Sequence, residues 1–345
     1  MRRILTICCI AILSMVMLTM RPAHASGTFT WSVSPDTAIP QYDNSDIRPM
    51  IVTNGSTFYQ IYSDGSNVVH RWLCTTLDAC TEQANGTLDS SFNHPYGDDR
   101  YWLGGGILYG STYYSVVHIE FRYHSTSAPN FSWFRRLGIA SSTDSGLHWH
   151  YLGDAITSDF STDINDFTGA PSFQTGPGDP ALYADFSHSM VYISYTTFWA
   201  DVVTGARSEQ TNIARCPLGS IASVSCWRKF NYGNWNQLGL GGHQTALWMG
   251  QDNASIAWDS YLGAYVAIGH STSNISFITT ATSMDTQNWQ PLQGLADGNR
   301  LLWYTWLVAP NGDPFTLGNV VRVYTSDNDY GGMGTFYFTV TLALA

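Results

Sequence analysis

Glu120 is a carboxylate in an otherwise apolar run, Val116-Val117-His118-Ile119-Glu120-Phe121. Strand alternation would put Val116, His118 and Glu120 on one face, and an unpaired Glu is rarely buried. Three further acids, Asp46, Asp99 and Asp179, each stand just before a run rich in strand-forming residues. Paired carboxylates suit hydrolysis of a glycosidic bond. One protonates the leaving oxygen, and another activates water or attacks carbon. On this reading Asp46 is base or nucleophile, and Glu120 is the first choice for acid with Asp179 second. Asp99 orients and tunes its neighbour, because close carboxylates push each other's pKa values apart. Arg48 and His118 would bind hydroxyls or steady the carboxylates. Trp102 and Trp258 are candidate stacking platforms, and His243 is a further candidate for lining the site. Each residue also has a plainer role. Asp before a strand caps a turn, Glu120 could pair with Arg122, Arg100 or Arg48, His118 could be a satisfied core histidine, and both tryptophans could fill the core.

The elements that must position these residues read as strands throughout. Helical periodicity is nearly absent, and short runs rich in Val, Ile, Thr, Tyr, Phe and Trp alternate with Gly, Asn, Asp and Ser turns. A hairpin pattern recurs five times, each with a polar residue at its opening. The copies are Asp46 with 47–53 and 57–62, Asp99 with 100–108 and 112–121, and Asp179 with 180–184 and 190–197. Asn253 with 254–259 and 264–270, and Arg300 with 301–309 and 320–325, complete the set. Asn54-Gly55 in the first copy is the strongest short hairpin signal. Further strand-like sequence follows the hairpins at 136–141, 210–215, 275–282 and 335–342. Four strands per unit and five units predict an all-β chain folded as a five-bladed β-propeller with four-stranded antiparallel blades. The leftover run 28–33 is expected to pair with the last blade and close the ring, removing an exposed edge. A six-bladed sialidase-type propeller and a β-sandwich with additions are the competing architectures.

Composition narrows the partner. Arg2 and Arg3, the apolar run 5–20 and Ala23-His24-Ala25 predict a secretory signal peptide over 1–25, leaving 26–345 as one domain in a secreted or periplasmic protein. No later run is long and apolar enough to predict a membrane span. Cys74 with Cys80 and Cys216 with Cys226 give the simplest disulfide pairing in an exported chain. Charged residues make up 12% of the chain, against about a quarter in typical domains. The net charge of −11 disfavours nucleic acid and anionic membrane as partners. Aromatics reach 14%, which leans toward a carbohydrate ligand. A monomer is expected. No ligand spacing predicts a metal or cofactor, although Asp and carbonyl oxygens leave room for a structural calcium.

Ser142-Thr143-Asp144-Ser145-Gly146-Leu147-His148-Trp149 reads S-x-D-x-G-x-x-W and resembles the Asp-box of sialidases and other β-propellers. Ser283-Met284-Asp285-Thr286-Gln287-Asn288-Trp289 is a degenerate copy. The layout as a whole resembles the five-bladed propeller glycoside hydrolases, the group of arabinanases, β-xylosidases and fructosidases. The likeness rests on Ser45-Asp46-Ile47-Arg48-Pro49, Gly178-Asp179-Pro180 and the segment ending at Trp289. It implies a first-blade Asp as base, a second-blade Asp tuning the acid and a third-blade Glu as acid. Asp46 and Asp99 match in place, whereas the third blade opens on Asp179 rather than Glu. A sialidase-like hydrolase is the alternative enzyme, for which Arg215, Arg300 and Arg322 would join Arg48, with Tyr324 as nucleophile. A non-catalytic carbohydrate-binding or cell-surface propeller is the alternative from another class.

Overall fold

The computed structural model describes residues 28–39, 48–54, 56–92, 99–122, 133–159, 172–201, 207–271, 276–284, 288–295, 303–327 and 334–345. Regular structure among them is strand, apart from two 3-10 turns at Leu218–Ser220 and Val224–Cys226. The chain is all-β, as its alternation requires. Met50–Asn54 pairs with Thr57–Ser63, and Arg100–Tyr109 with Thr112–Arg122. Ser172–Asp185 pairs with Met190–Asp201, Gln251–Asp259 with Ala264–Ser271, and Trp303–Val308 with Val320–Asp327. A third antiparallel strand extends each pair: Val68–Thr76, Trp133–Ser142, Arg207–Pro217, Ser276–Ala281 and Gly334–Leu344.

The first strands of these hairpins pack side by side in chain order. Met50–Asn54 lies against Arg100–Tyr109, then come Ser172–Asp185, Gln251–Asp259 and Trp303–Val308. The series returns on itself, because Ile51 shares a buried cluster with Trp306 and Val308. Central strands are buried on both faces, as all six residues of Ser276–Ala281 are. The edge strand Asn234–Leu238 alternates exposed and half-buried positions, as a strand with one face in water must. Phe29–Val33 runs antiparallel along Gly334–Leu344, with Phe29 opposite Leu344 and Val33 opposite Val340. The expected pairing of the N-terminal run with the last sheet is therefore present. Gly86–Leu88 lies parallel to His148–Ile156 and merges the first two hairpin units into one nine-stranded sheet. Cys74 bonds Cys80 and Cys216 bonds Cys226, the pairing expected from their spacing.

The turn between Trp133–Ser142 and His148–Ile156 shows how residue type sets local geometry. Asp144 Oδ1 accepts from the Ser142 hydroxyl at 2.8 Å and from the backbone N–H groups of Leu147 and His148 at 3.1 and 2.9 Å. Gly146 takes φ +81°, a left-handed angle that a side chain resists. Trp149 is fully buried and its indole N–H donates to the Gly146 carbonyl at 3.1 Å. Asp144→Ala removes the side-chain acceptor of two backbone donors, of which the Leu147 N–H keeps the Asp144 carbonyl at 3.4 Å. It is expected to cost about 1–2 kcal/mol in urea denaturation; an unchanged midpoint would mean that the buried tryptophan alone holds the turn.

Two strand starts differ from expectation. Asp179 and Asn253 lie within their strands, Ser172–Asp185 and Gln251–Asp259, rather than before them. The strand is bulged on either side of Gly176-Pro177-Gly178, which brings Asp179 inside it. Asp46, Arg300, the segment 1–25 and residues 285–287 lie outside the described residues.

Candidate functional site

Arg48 sits at the convergence of three first strands. It is 1% exposed. Its Nε donates to the Thr305 carbonyl at 2.6 Å, and its Nη1 donates to the carbonyls of Asp179 and Pro180 at 2.7 and 2.6 Å. One rigid donor fork thus ties the entry to Met50–Asn54 onto Ser172–Asp185 and Trp303–Val308. Arg48, expected to bind hydroxyls or steady carboxylates, also holds backbone, and it is closed off from solvent.

Beside it, Thr112–Arg122 brings His118 and Glu120 to one face, as alternation requires. Cross-strand register sets Glu120 between Arg100 and Arg135, and His118 between Trp102 and Leu137. His118 Nε2 lies 3.4 Å from Glu120 Oε1, and its Nδ1 lies 3.3 Å from Asp179 Oδ1. Arg135 Nε donates to Glu120 Oε1 at 2.9 Å and its Nη1 donates to Thr175 Oγ1 at 3.2 Å. The Arg135 guanidinium lies 4.2 Å from the Phe198 ring centroid, a cation–π contact. Two carboxylates, one histidine and one arginine from neighbouring sheets therefore form a single charged unit.

The bulge in Ser172–Asp185 is what delivers Asp179. Register slips between Gly178 and Ala181, and Asp179 adopts φ +48°, a left-handed angle that Asp tolerates better than most side chains. A Cβ on Gly176 would meet the Arg135 carbonyl oxygen at 2.0 Å, and one on Gly178 would meet Arg135 Cδ at 2.7 Å. Both positions need glycine so that this backbone can press against Arg135 and His118. An outlier of this kind in a charged cluster is where functional strain concentrates.

The charges answer one another. Burial alone would lower the His118 pKa, but the hydrogen bonds and charges of Asp179 and Glu120 outweigh it and raise the ring to about 9. Burial alone would raise Glu120, but the His118 hydrogen bond, the charges of Arg135 and His118 and the Arg135 hydrogen bond bring it down to about 2. As imidazolium, His118 donates from Nδ1 to Asp179 Oδ1; as neutral imidazole, the same nitrogen accepts the Asp179 backbone N–H at 3.2 Å. These shifts favour an ionised Glu120 and a protonated His118 in the resting site.

The other expected residues are placed as follows. Asp99 is buried, and its charge acts on Tyr101 together with those of Arg136 and Asp154. Alternation puts Tyr101 on the opposite strand face from Trp102 and Glu120's register partner Arg100. Trp102 is 5% exposed and its ring lies 5.4 Å from His118, so it is a wall behind the histidine rather than an open shelf. His243 is largely exposed beside Asp159, at 3.3 Å. Trp258 lines a different hollow, at the hairpin-turn end of its strand. Arg215 lies over Trp235 and Arg322 binds Asp78 through two contacts at 2.7 and 3.0 Å, so neither joins Arg48 in a sialidase-type clamp. Tyr324 is 1% exposed and stacked on Trp306, with burial foremost in raising its pKa to about 12. Arg135 was missed; its signal is a pair of arginines in the strand Phe134-Arg135-Arg136-Leu137 that must face an acid across the sheet. Among the described residues, no group of three or more His, Cys, Asp or Glu side chains is arranged to hold a metal ion. No helix among them is long and apolar enough to cross a membrane.

No protein-family model matches this chain, and no curated protein does. Solved structures do. A family 117 glycoside hydrolase of the marine bacterium Zobellia galactanivorans matches with a TM-score of 0.56 at 9% identity, over 92% of this chain and 91% of that one. An exo-β-1,3-galactanase of Phanerochaete chrysosporium, bound to β-1,3-galactotriose, matches with a TM-score of 0.52 at 13% identity, over 89% of this chain and 63% of that one. A family 43 β-1,3-galactosidase with galactodeoxynojirimycin matches with a TM-score of 0.51 at 11% identity, over 85% and 90%. At such identities the likeness is one of fold: this all-β chain is built like glycoside hydrolases that act on carbohydrates.

Proposed function

We propose that this protein is a secreted glycoside hydrolase, a single five-bladed β-propeller over 26–345 that cleaves an oligo- or polysaccharide at the end where its first strands meet. The nine-stranded sheet counts as two blades joined through Gly86–Leu88, and the other three sheets as one blade each. The turn around Asp144 is read as an Asp-box. The observation that carries the catalytic reading is the union of Glu120, His118, Arg135 and Asp179 from neighbouring sheets in a fold shared with glycoside hydrolases. Asp46, two residues before the central Arg48, is the base. The proton for the leaving oxygen belongs to the pair of Glu120 and His118, whose titrations are coupled through their contact.

Purified protein incubated with plant and bacterial wall polysaccharides should release sugars detectable by chromatography. Asp46→Asn and Glu120→Gln, made separately, should each lower that rate by at least about 100-fold, the usual span of general acid–base catalysis. Full-rate hydrolysis by both folded variants would remove this site from the reaction.

One observation favours a second reading, a non-catalytic carbohydrate-binding propeller. Glu120 is already neutralised by Arg135 and His118, a resting arrangement that suits holding a ligand. Glycan-array binding with no product released from any polysaccharide would select it.

A further inference from the structure

A second feature lies away from the charged unit, where Ser172–Asp185 and Gln251–Asp259 reach their hairpin turns. Asp185 is six residues beyond Asp179, a span on the order of 20 Å along a strand. A hollow of about 270 Å³ opens there. Its walls are aromatic: Tyr265 packs edge-on against Trp258 at 5.1 Å and against Tyr183 at 5.8 Å, while Phe186 stands 54% exposed at the rim. Edge-to-face packing fixes the ring orientations before any ligand arrives.

Its polar groups divide into satisfied and unsatisfied. Asp185 accepts from the Ser187 hydroxyl at 2.6 Å and the His188 backbone N–H at 3.0 Å through Oδ1. Its Oδ2 accepts from the Tyr265 hydroxyl at 2.8 Å and faces His188 Nδ1 at 2.7 Å. Four contacts saturate this carboxylate. They also fix the His188 tautomer, with Nδ1–H inward and Nε2 left as an acceptor on a ring that is 70% exposed. The Tyr183 hydroxyl and the Trp258 indole N–H make no hydrogen bond among the described residues. The hollow therefore offers flat apolar faces together with one acceptor, one donor and one hydroxyl. A sugar ring presents the complement, C–H faces bordered by hydroxyls. The volume lies below the ~300–1,000 Å³ of typical drug-sized sites, which suits a single ring.

We propose that the hollow lined by Tyr183, Asp185, Phe186, His188, Trp258 and Tyr265 is a second saccharide-binding site, taking one neutral sugar ring at the hairpin-turn end of the strands. It goes beyond the hydrolase reading, since it needs no bond cleavage. Galactose, arabinose, xylose and fructose, titrated singly into the whole protein by calorimetry, test it without any glycosidic bond to cleave. At least one should give saturable binding. That binding should weaken by about tenfold in Tyr183→Phe and in Trp258→Phe, which keep the apolar faces and delete one polar group each. It should persist in Glu120→Gln. Binding lost in Glu120→Gln but kept in the two aromatic variants belongs to the central site and overturns the proposal. So does the absence of any sugar response, or saturable binding of tetramethylammonium with none of sugars, which would make the hollow an aromatic cage for a cation.

Discussion

Arg48→Met is expected to destabilise the protein by about 3–5 kcal/mol, because three buried backbone carbonyls lose their donors at once and each unmet acceptor costs ~1–3 kcal/mol. The relief of an arginine's desolvation offsets part of this, so the sum stays below the simple total. Methionine matches the stem in length and flexibility, which keeps the cavity term small. The loss should appear as a Tm lower by roughly 5–10 °C in calorimetry. Arg48→Lys should recover only part of it, since one compact ammonium cannot reproduce the two-nitrogen fork aimed at Thr305 on one side and at Asp179 and Pro180 on the other. A Met variant melting with the parent would show that the first strands need no pin at their meeting point.

The charged unit predicts a bounded pH range for stability. His118 is raised from 6.5 to about 9, so its contribution is complete below pH ~6.5 and is lost as pH climbs through ~9. Glu120 is lowered from 4.5 to about 2, so its contribution is complete above pH ~4.5 and is lost as pH falls through ~2. The unit's own contribution to the unfolding free energy should therefore be fullest between pH ~4.5 and ~6.5 and decline on both sides, by on the order of 3 kcal/mol at each extreme, on top of the slopes that Asp259, raised to about 6, and Lys229, lowered to about 8, add elsewhere in the fold. The attraction between His118 and Glu120 enters both limbs and counts once at mid-range. In Glu120→Gln the acid limb should flatten, and the alkaline limb should begin at lower pH because His118 keeps only Asp179. Identical pH profiles for the two proteins would contradict the network.

Much of this was legible because strands advertise themselves by alternation and by turn residues. Asn54-Gly55, Tyr109-Gly110 and the Ser142–Trp149 turn each stand between strands that pair antiparallel. The shared face of His118 and Glu120 followed from period-two geometry alone. What escaped was everything that depends on register between strands distant in sequence. Arg135 meets Glu120 only through the pairing of Trp133–Ser142 with Thr112–Arg122, and a slip of one residue would have sent it to the other face. Asp179 reaches His118 only because two glycines and a left-handed Asp carry the strand through a bulge, whereas the sequence reading starts the strand after Asp179. Trp258 was grouped with the central residues because a tryptophan at a strand looks the same whichever rim it serves. Its position near the end of Gln251–Asp259 decides that point, and sequence gives strand ends to within a few residues at best.

The pairing of Phe29–Val33 with Val340–Leu344 has a consequence for biogenesis. The two partners are separated by about 300 residues, so a ribosome must pass Leu344 before Phe29–Val33 can find its neighbour. Until then that sheet lacks its clasp and presents bare amide edges to anything nearby. A chaperone that shields such an intermediate would raise the yield of finished molecules, and removing Phe29–Val33 would leave the edge of Gly334–Leu344 permanently bare.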